Sequence, residues 1–192
     1  MQQIAIFASG AGSNAKKIIE HFQDHKEVNV SLVVCNKPGA GVLTIARDAA
    51  IPTLLIEKEK FFRGNAYTDE LKERAIDFIV LAGFLWKIPE NLIIAYRGKI
   101  INIHPALLPN YGGKGMYGGF VHEAVIGNKE IESGITIHFV DEHYDHGDII
   151  FQARCKVEEN DSPESLAQKI HALEHEYYPK VVEETILRTK AN

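Results

Sequence analysis

Asn102 and His104 stand two residues apart in the apolar stretch Lys99 to Pro109, KIINIHPALLP. The segment Lys99 to Ile103 is β-branched enough to predict a strand, on which residues i and i+2 share one face. An amide donates hydrogen bonds without titrating, and an imidazole can donate, accept or carry charge near neutral pH. Side by side at a strand's carboxyl end they suit an oxyanion that forms when a carbonyl is attacked. The same two residues also suit a strand end that satisfies loop backbone. A second reactive stretch is Asp141 to Asp148, DEHYDHGD, with four acids and two histidines in eight residues. Acid–base work, a metal site and a solvated turn are all open there. The lack of helical H-x-x-x-H or other fixed ligand spacing favours acid–base work over metal.

A third stretch, Gly10-Ala11-Gly12-Ser13-Asn14, follows the apolar run Ile4 to Ser9 and precedes apolar residues at Ala15, Ile18, Ile19 and Phe22. Strand, glycine turn and helix are the reading, with the helix N-terminus offering amide N–H groups to an anion. The pattern satisfies G-x-G-x-x-A. The next strand, however, ends at Cys35 and is followed by Asn36 and Lys37, so no acid stands there for a ribose diol. A monophosphate cradle is favoured over a dinucleotide site, and a tight turn that binds nothing is the alternative.

These stretches need a scaffold that brings strand ends together. Predicted strands at Val28 to Cys35, Thr53 to Ile56 and Asp77 to Ala82 alternate with helices over about 42–50, 67–76 and 89–96. Lys58 to Gly64 reads as a charged connection. The apolar runs fit parallel strands covered on both faces, and the alternation predicts a Rossmann-like, doubly wound α/β fold with a mostly parallel sheet. The aromatics of Gly83-Phe84-Leu85-Trp86-Lys87 are placed to sandwich a flat ring or to pack at the sheet edge. Past a loop with five glycines in Asn110 to Gly119, a helix over 120–126 leads to strands over 134–140 and 149–157. Ser162-Pro163-Glu164 opens a long helix with Pro179 as its expected kink. His171, Glu174 and His175 lie near its middle.

The chain has 192 residues, 45% of them hydrophobic, and a formal charge of −5, which suits one domain and argues against a protein that grips a nucleic-acid backbone. No apolar run approaches the roughly 20 residues that span a bilayer, and Met1 leads almost directly into a strand, so neither membrane nor signal segment is expected. Cys35 and Cys155 are isolated thiols, as in a reducing compartment, which makes the cytoplasm the expected location.

Taken in order, SGAGSN at Ser9 to Asn14, VLAGF at Val80 to Phe84, NIHPALLP at Asn102 to Pro109, the loop through Asp145-His146-Gly147, and LEHEYYP at Leu173 to Pro179 give the chain its resemblance to the folate-dependent formyltransferase family. Within that family it is most similar to the members that formylate glycinamide ribonucleotide. The resemblance implies transfer of a formyl group from 10-formyltetrahydrofolate, as co-substrate, to the ribonucleotide's amine, with Asn102, His104 and Asp145 catalytic and no metal. It also implies that Gly12, Ser13 and Asn14 bind the phosphate, with Arg63 the nearest basic residue for it. Glu174 would meet the amine, and Leu85, Trp86, Lys87, Val140 and Asp141 the folate. Many relatives have an arginine where this chain has Trp86-Lys87. A nucleotide-binding half over about 1–98 and a folate-binding, catalytic half over about 99–192 are expected. The state would be a monomer or homodimer without nucleic-acid partners. Other folate-dependent formyltransferases, formyltetrahydrofolate hydrolase and a non-catalytic nucleotide binder are the competing readings. The first two carry extra domains for which this chain has no room.

Overall fold

The computed structural model describes residues 1–191; Asn192, the last residue of the expected domain, lies outside the described residues. Within the described residues seven strands, β1 (Gln2–Ala8), β2 (Val28–Cys35), β3 (Thr53–Leu55), β4 (Phe78–Leu81), β5 (Ile100–His104), β6 (Glu132–Phe139) and β7 (Ile149–Lys156), form one sheet in the order β3-β2-β1-β4-β5-β6-β7. The pairings from β3 through β5 are parallel, whereas β5–β6 and β6–β7 are antiparallel. The chain winds outward from β1 through β2 to β3, then returns to β4 on β1's other side. That reversal opens a crevice beyond the carboxyl ends of β1 and β4, where ligands of such sheets bind.

Among the described residues, seven helices cover the sheet: α1 (Ser13–Phe22), α2 (Gly41–Asp48), α3 (Lys58–Phe62), α4 (Ala66–Glu73), α5 (Glu90–Ala95), α6 (Gly119–Gly127) and α7 (Pro163–Ala191). Alternate residues of β1 feed two cores. Ile4, Ile6 and Ala8 pack with Ile18 of α1 and Leu166, Ile170 and Val182 of α7, whereas Ala5 and Phe7 pack with Leu71 of α4 and Leu92 of α5. Burial of both faces accounts for the near-continuous apolar runs. Among the described residues, no helix is long and apolar enough to cross a membrane.

Several boundaries differ from the sequence reading. His104 is the last residue of β5 and not the first beyond it, so it pairs with Thr136 of β6. The charged connection folds as α3 because Phe61 drops into the second core and is 2% exposed. The helix α4 ends at Glu73, two residues before Ala75 adopts the left-handed conformation at φ 54°. Pro179 lies inside α7, which continues to Ala191. Fully buried Tyr178 of α7 donates its hydroxyl hydrogen to the Leu81 carbonyl at 2.8 Å, with the Ile101 carbonyl at 3.4 Å.

Candidate active site

The crevice is a cleft of about 650 Å³ that gathers the turn after β1, the segment after β4, the end of β5 and the Asp141–Asp145 loop. At one end the chain turns from β1 into α1 through Gly12, whose φ is 84°. A Cβ there would sit 2.8 Å from Val42 Cβ, so neither the backbone angle nor the space admits a side chain easily. The first helical bond is Lys16 N–H to the Gly12 carbonyl at 2.8 Å, which leaves the N–H groups of Ser13, Asn14 and Ala15 without an intrahelical acceptor. Together with the helix dipole they form an anion cradle. Asn14 Nδ2 donates to Glu174 Oε2 at 2.9 Å, which brings the middle of α7 to the cradle's edge. Burial raises the Glu174 carboxyl above its ordinary range, an effect that the Asn14 bond and nearby His171 offset in part.

At the other end, Asn102 and His104 project from β5 into the cleft as the i, i+2 spacing requires. The antiparallel register sets His138 directly opposite Asn102. His138 Nδ1 lies 2.8 Å from the Phe139 carbonyl, an acceptor only, so Nδ1 carries the hydrogen. Nε2 is then free to accept from Asn102 Nδ2 at 3.1 Å, and burial, by lowering the His138 pKa, favours this neutral ring. One amide hydrogen of Asn102 is thereby committed and the other remains for the cleft. His104 Nε2 donates to the Tyr111 carbonyl at 2.7 Å, which leaves Nδ1 facing Asp145 Oδ2 at 3.7 Å. Asp145 Oδ1 lies 3.7 Å from His138 Nε2, so one carboxylate stands beside both imidazoles.

Two loops fix these groups. Thr136 Oγ1 donates to the Ala106 carbonyl at 2.7 Å and accepts from Leu108 N–H at 2.9 Å, which pins the chain just past His104. Gly113 N–H donates to Asp145 Oδ2 at 2.9 Å and so ties the glycine-rich loop to the acidic one. Gly147 packs against the Phe139 carbonyl where any Cβ would overlap it. Asp145 has φ 53°, a left-handed conformation that aspartate tolerates better than most residues.

Leu85, Trp86, Lys87, Val140 and Asp141 line the wall between the two ends. Trp86 also packs on Phe61 and Phe84 at 5.7 and 6.3 Å between ring centroids, so the aromatics after β4 both line the cleft and fill the edge. Arg63 is not brought to the cleft: its exposed guanidinium pairs with Glu59 one helical turn earlier, at 2.8 Å.

A sequence profile described as "Formyl transferase" matches residues 2–182. The chain belongs to the formyl transferase family. It is 43% identical over 187 residues to the chloroplastic phosphoribosylglycinamide formyltransferase of Arabidopsis thaliana, which covers 94% of this chain and 64% of that protein. The chain thus spans just under two thirds of that relative's length. The enzyme of the same name from Bacillus subtilis is 36% identical over 191 residues, covering 97% of this chain and 95% of the relative. The crystal structure of phosphoribosylglycinamide formyltransferase from Bacillus halodurans superposes with a TM-score of 0.87 at 38% identity, over 100% of this chain and 97% of that one.

In this family member, sequence reasoning missed some of the cleft's polar groups. His138 was visible only as an alternating polar residue in an apolar strand. His122 of α6 also lines the cleft. It is 4% exposed with Nδ1 unpartnered, and burial, His171 and His104 lower its pKa. Its sequence signal was no more than a histidine in a short apolar helix.

Proposed function

We propose that this chain is a phosphoribosylglycinamide formyltransferase, transferring a formyl group from 10-formyltetrahydrofolate to the primary amine of glycinamide ribonucleotide. The observation that carries the reading is the convergence of the Asn102 amide, the His104 imidazole and the Asp145 carboxylate between an anion cradle and an apolar wall. The cradle Gly12, Ser13 and Asn14 takes the ribonucleotide phosphate, and Glu174 takes the amine. The pterin lies on Leu85 and Val140, beside Trp86, Lys87 and the Asp141 backbone. Arg63 would serve the phosphate only after leaving Glu59.

The amine lone pair attacks the formyl carbon, and the carbonyl π electrons move onto oxygen. The free amide hydrogen of Asn102 meets that oxyanion, and one such donor is worth roughly 3 kcal/mol of barrier. With Nε2 committed to Tyr111, His104 acts at Nδ1. Only the imidazolium carries hydrogen there, and the Asp145 carboxylate is its charge partner. Asp145 also orients the water that carries the proton from the attacking nitrogen to N10 of the folate. The C–N10 bond then breaks, giving formyl-glycinamide ribonucleotide and tetrahydrofolate. These steps call on no metal. The nucleotide-binding and folate-binding halves meet along the cleft, near residue 98, and the enzyme works in the cytoplasm.

The test follows folate product spectrophotometrically with and without the amine substrate. Product that requires glycinamide ribonucleotide is expected. Equal release without it would make the chain a hydrolase, and no release under either condition would leave it a binding protein.

A further inference from the structure

The Asp141–Asp148 loop holds a group of side chains that formyl transfer leaves idle. Asp141, His143 and His146 each offer a donor atom, and among the described residues these three lie within 4.8 Å of one another. We propose that they form a rim site for a divalent ion of the zinc class, separate from the formyl-transfer chemistry.

The donors sit on a loop held at both ends. Val140 N–H donates to the Ile100 carbonyl at 2.9 Å, Phe139 N–H donates to the Asp148 carbonyl at 2.9 Å, and Gly147 is wedged against Phe139. Asp141 Oδ1 accepts from His143 N–H at 2.8 Å, which aims Oδ2 toward His146 Nδ1 at 3.4 Å. Two ligands of one tetrahedral zinc lie about 3.3–3.5 Å apart, given metal–ligand distances of roughly 2.0–2.1 Å. That pair is already spaced for an ion. The His143 and His146 rings stand 5.5 Å apart between centroids, and both side chains are exposed, so a small side-chain rotation brings the third donor in. The guanidinium of Arg97 pairs with the neighbouring Glu142 at 2.5 Å. Two imidazoles with one carboxylate select Zn²⁺, Co²⁺ or Ni²⁺ over Mg²⁺ and Ca²⁺, which prefer all-oxygen sites. A bound ion would join Asp141 and His143, which line the cleft, to His146, which does not, and so stiffen the loop that presents Asp145.

The test titrates zinc chloride into chelator-treated protein by calorimetry, with cobalt as a spectroscopic reporter of imidazole ligation. One saturable ion per chain is expected, together with cobalt d–d bands and no response to magnesium. His143→Asn and His146→Asn should each weaken binding about 10-fold or more. His21→Asn, which disturbs the separate pairing of His21 with Glu183, should not. His146→Asn, at an exposed position outside the cleft, should keep full metal-free turnover. Absence of saturable zinc binding, or binding that survives the His143→Asn/His146→Asn double substitution, overturns the proposal. Because binding is read directly, either result leaves the assignment of formyl transfer standing or falling on its own assay.

Discussion

The two ends of the cleft are built by opposite means. At the β1–α1 turn the groups that face the cleft are backbone amides, and Gly12, which has no side chain, sets the shape of the turn. At the β5–β6 end the groups are side chains whose hydrogen positions are set by other side chains and carbonyls: His138 sets Asn102, and Tyr111 sets His104. A backbone site should therefore tolerate changes of side-chain chemistry and fail when φ or space is violated. The side-chain site should do the reverse, keeping its fold while losing its reaction.

The sharpest break falls at the reaction end. Asn102→Ala removes one oxyanion donor and should lower kcat by roughly 10²–10³-fold with a much smaller change in KM. Retained kcat with raised KM would turn this end into a mere binding surface. Next come His104→Ala and Asp145→Ala, whose groups face each other at 3.7 Å. Their combined loss in activation free energy should fall short of the sum of the single losses by about 1 kcal/mol or more. Full additivity would mean that Asp145 acts independently, through Gly113 and the loop it holds.

At the cradle the damage should be to stability and affinity together. Gly12→Ala forces a Cβ onto Val42 in a left-handed residue, which costs about 1–3 kcal/mol and lowers the melting temperature by several degrees. Ser13→Ala should be mild, whereas Ser13→Asp, placing negative charge where phosphate belongs, should raise KM for the ribonucleotide. An unchanged KM in Ser13→Asp would remove the phosphate from this turn.

The smallest effect, and one of opposite sign, concerns Glu174, the carboxylate at the cradle's edge. Burial raises its carboxyl pKa in the folded chain above the ordinary glutamate value of 4.5, so the unfolded chain gives up this proton more readily. Stability from this group is therefore greatest below about 4.5 and falls as pH rises through the raised folded value. Glu174→Gln cannot ionise, and it should melt higher than the parent at neutral pH, with the gap closing in acid, while binding the amine substrate less well. A parent that melts higher at neutral pH would show that the charge is fully compensated in the fold.

The same contrast explains what could be read from the chain alone. The parallel half was legible because doubly buried strands are continuous apolar runs and because glycines mark where a strand turns sharply into a helix, as at Gly10 to Asn14. The place of Asn102 and His104 on one strand face was legible from spacing, and that of Asp145 from the motif that carries the family resemblance. His138 was not, because its place opposite Asn102 depends on an antiparallel register that nothing local in β6 specifies. The helix α3 was hidden for a related reason. A charged five-residue segment has weak helical preference of its own, and only the burial of Phe61 makes it fold. Arg63 looked placed for phosphate by sequence distance, yet helical geometry hands it to Glu59.

Tyr178 gives the molecule a fixed reference mark. Apolar contact holds α7 against the sheet but is indifferent to sliding along it, since such burial has no direction. A hydroxyl hydrogen bonded to the Leu81 carbonyl does have direction, and it sits one helical turn beyond Glu174. Sliding α7 by a single residue would move that carboxylate about 1.5 Å and pull it from Asn14. The interval between the carboxylate at the cradle and the donors on β5 is thus gauged by a phenol at the floor of the protein. Selection on the spacing of the cradle and the β5 donors could act at a position that belongs to neither.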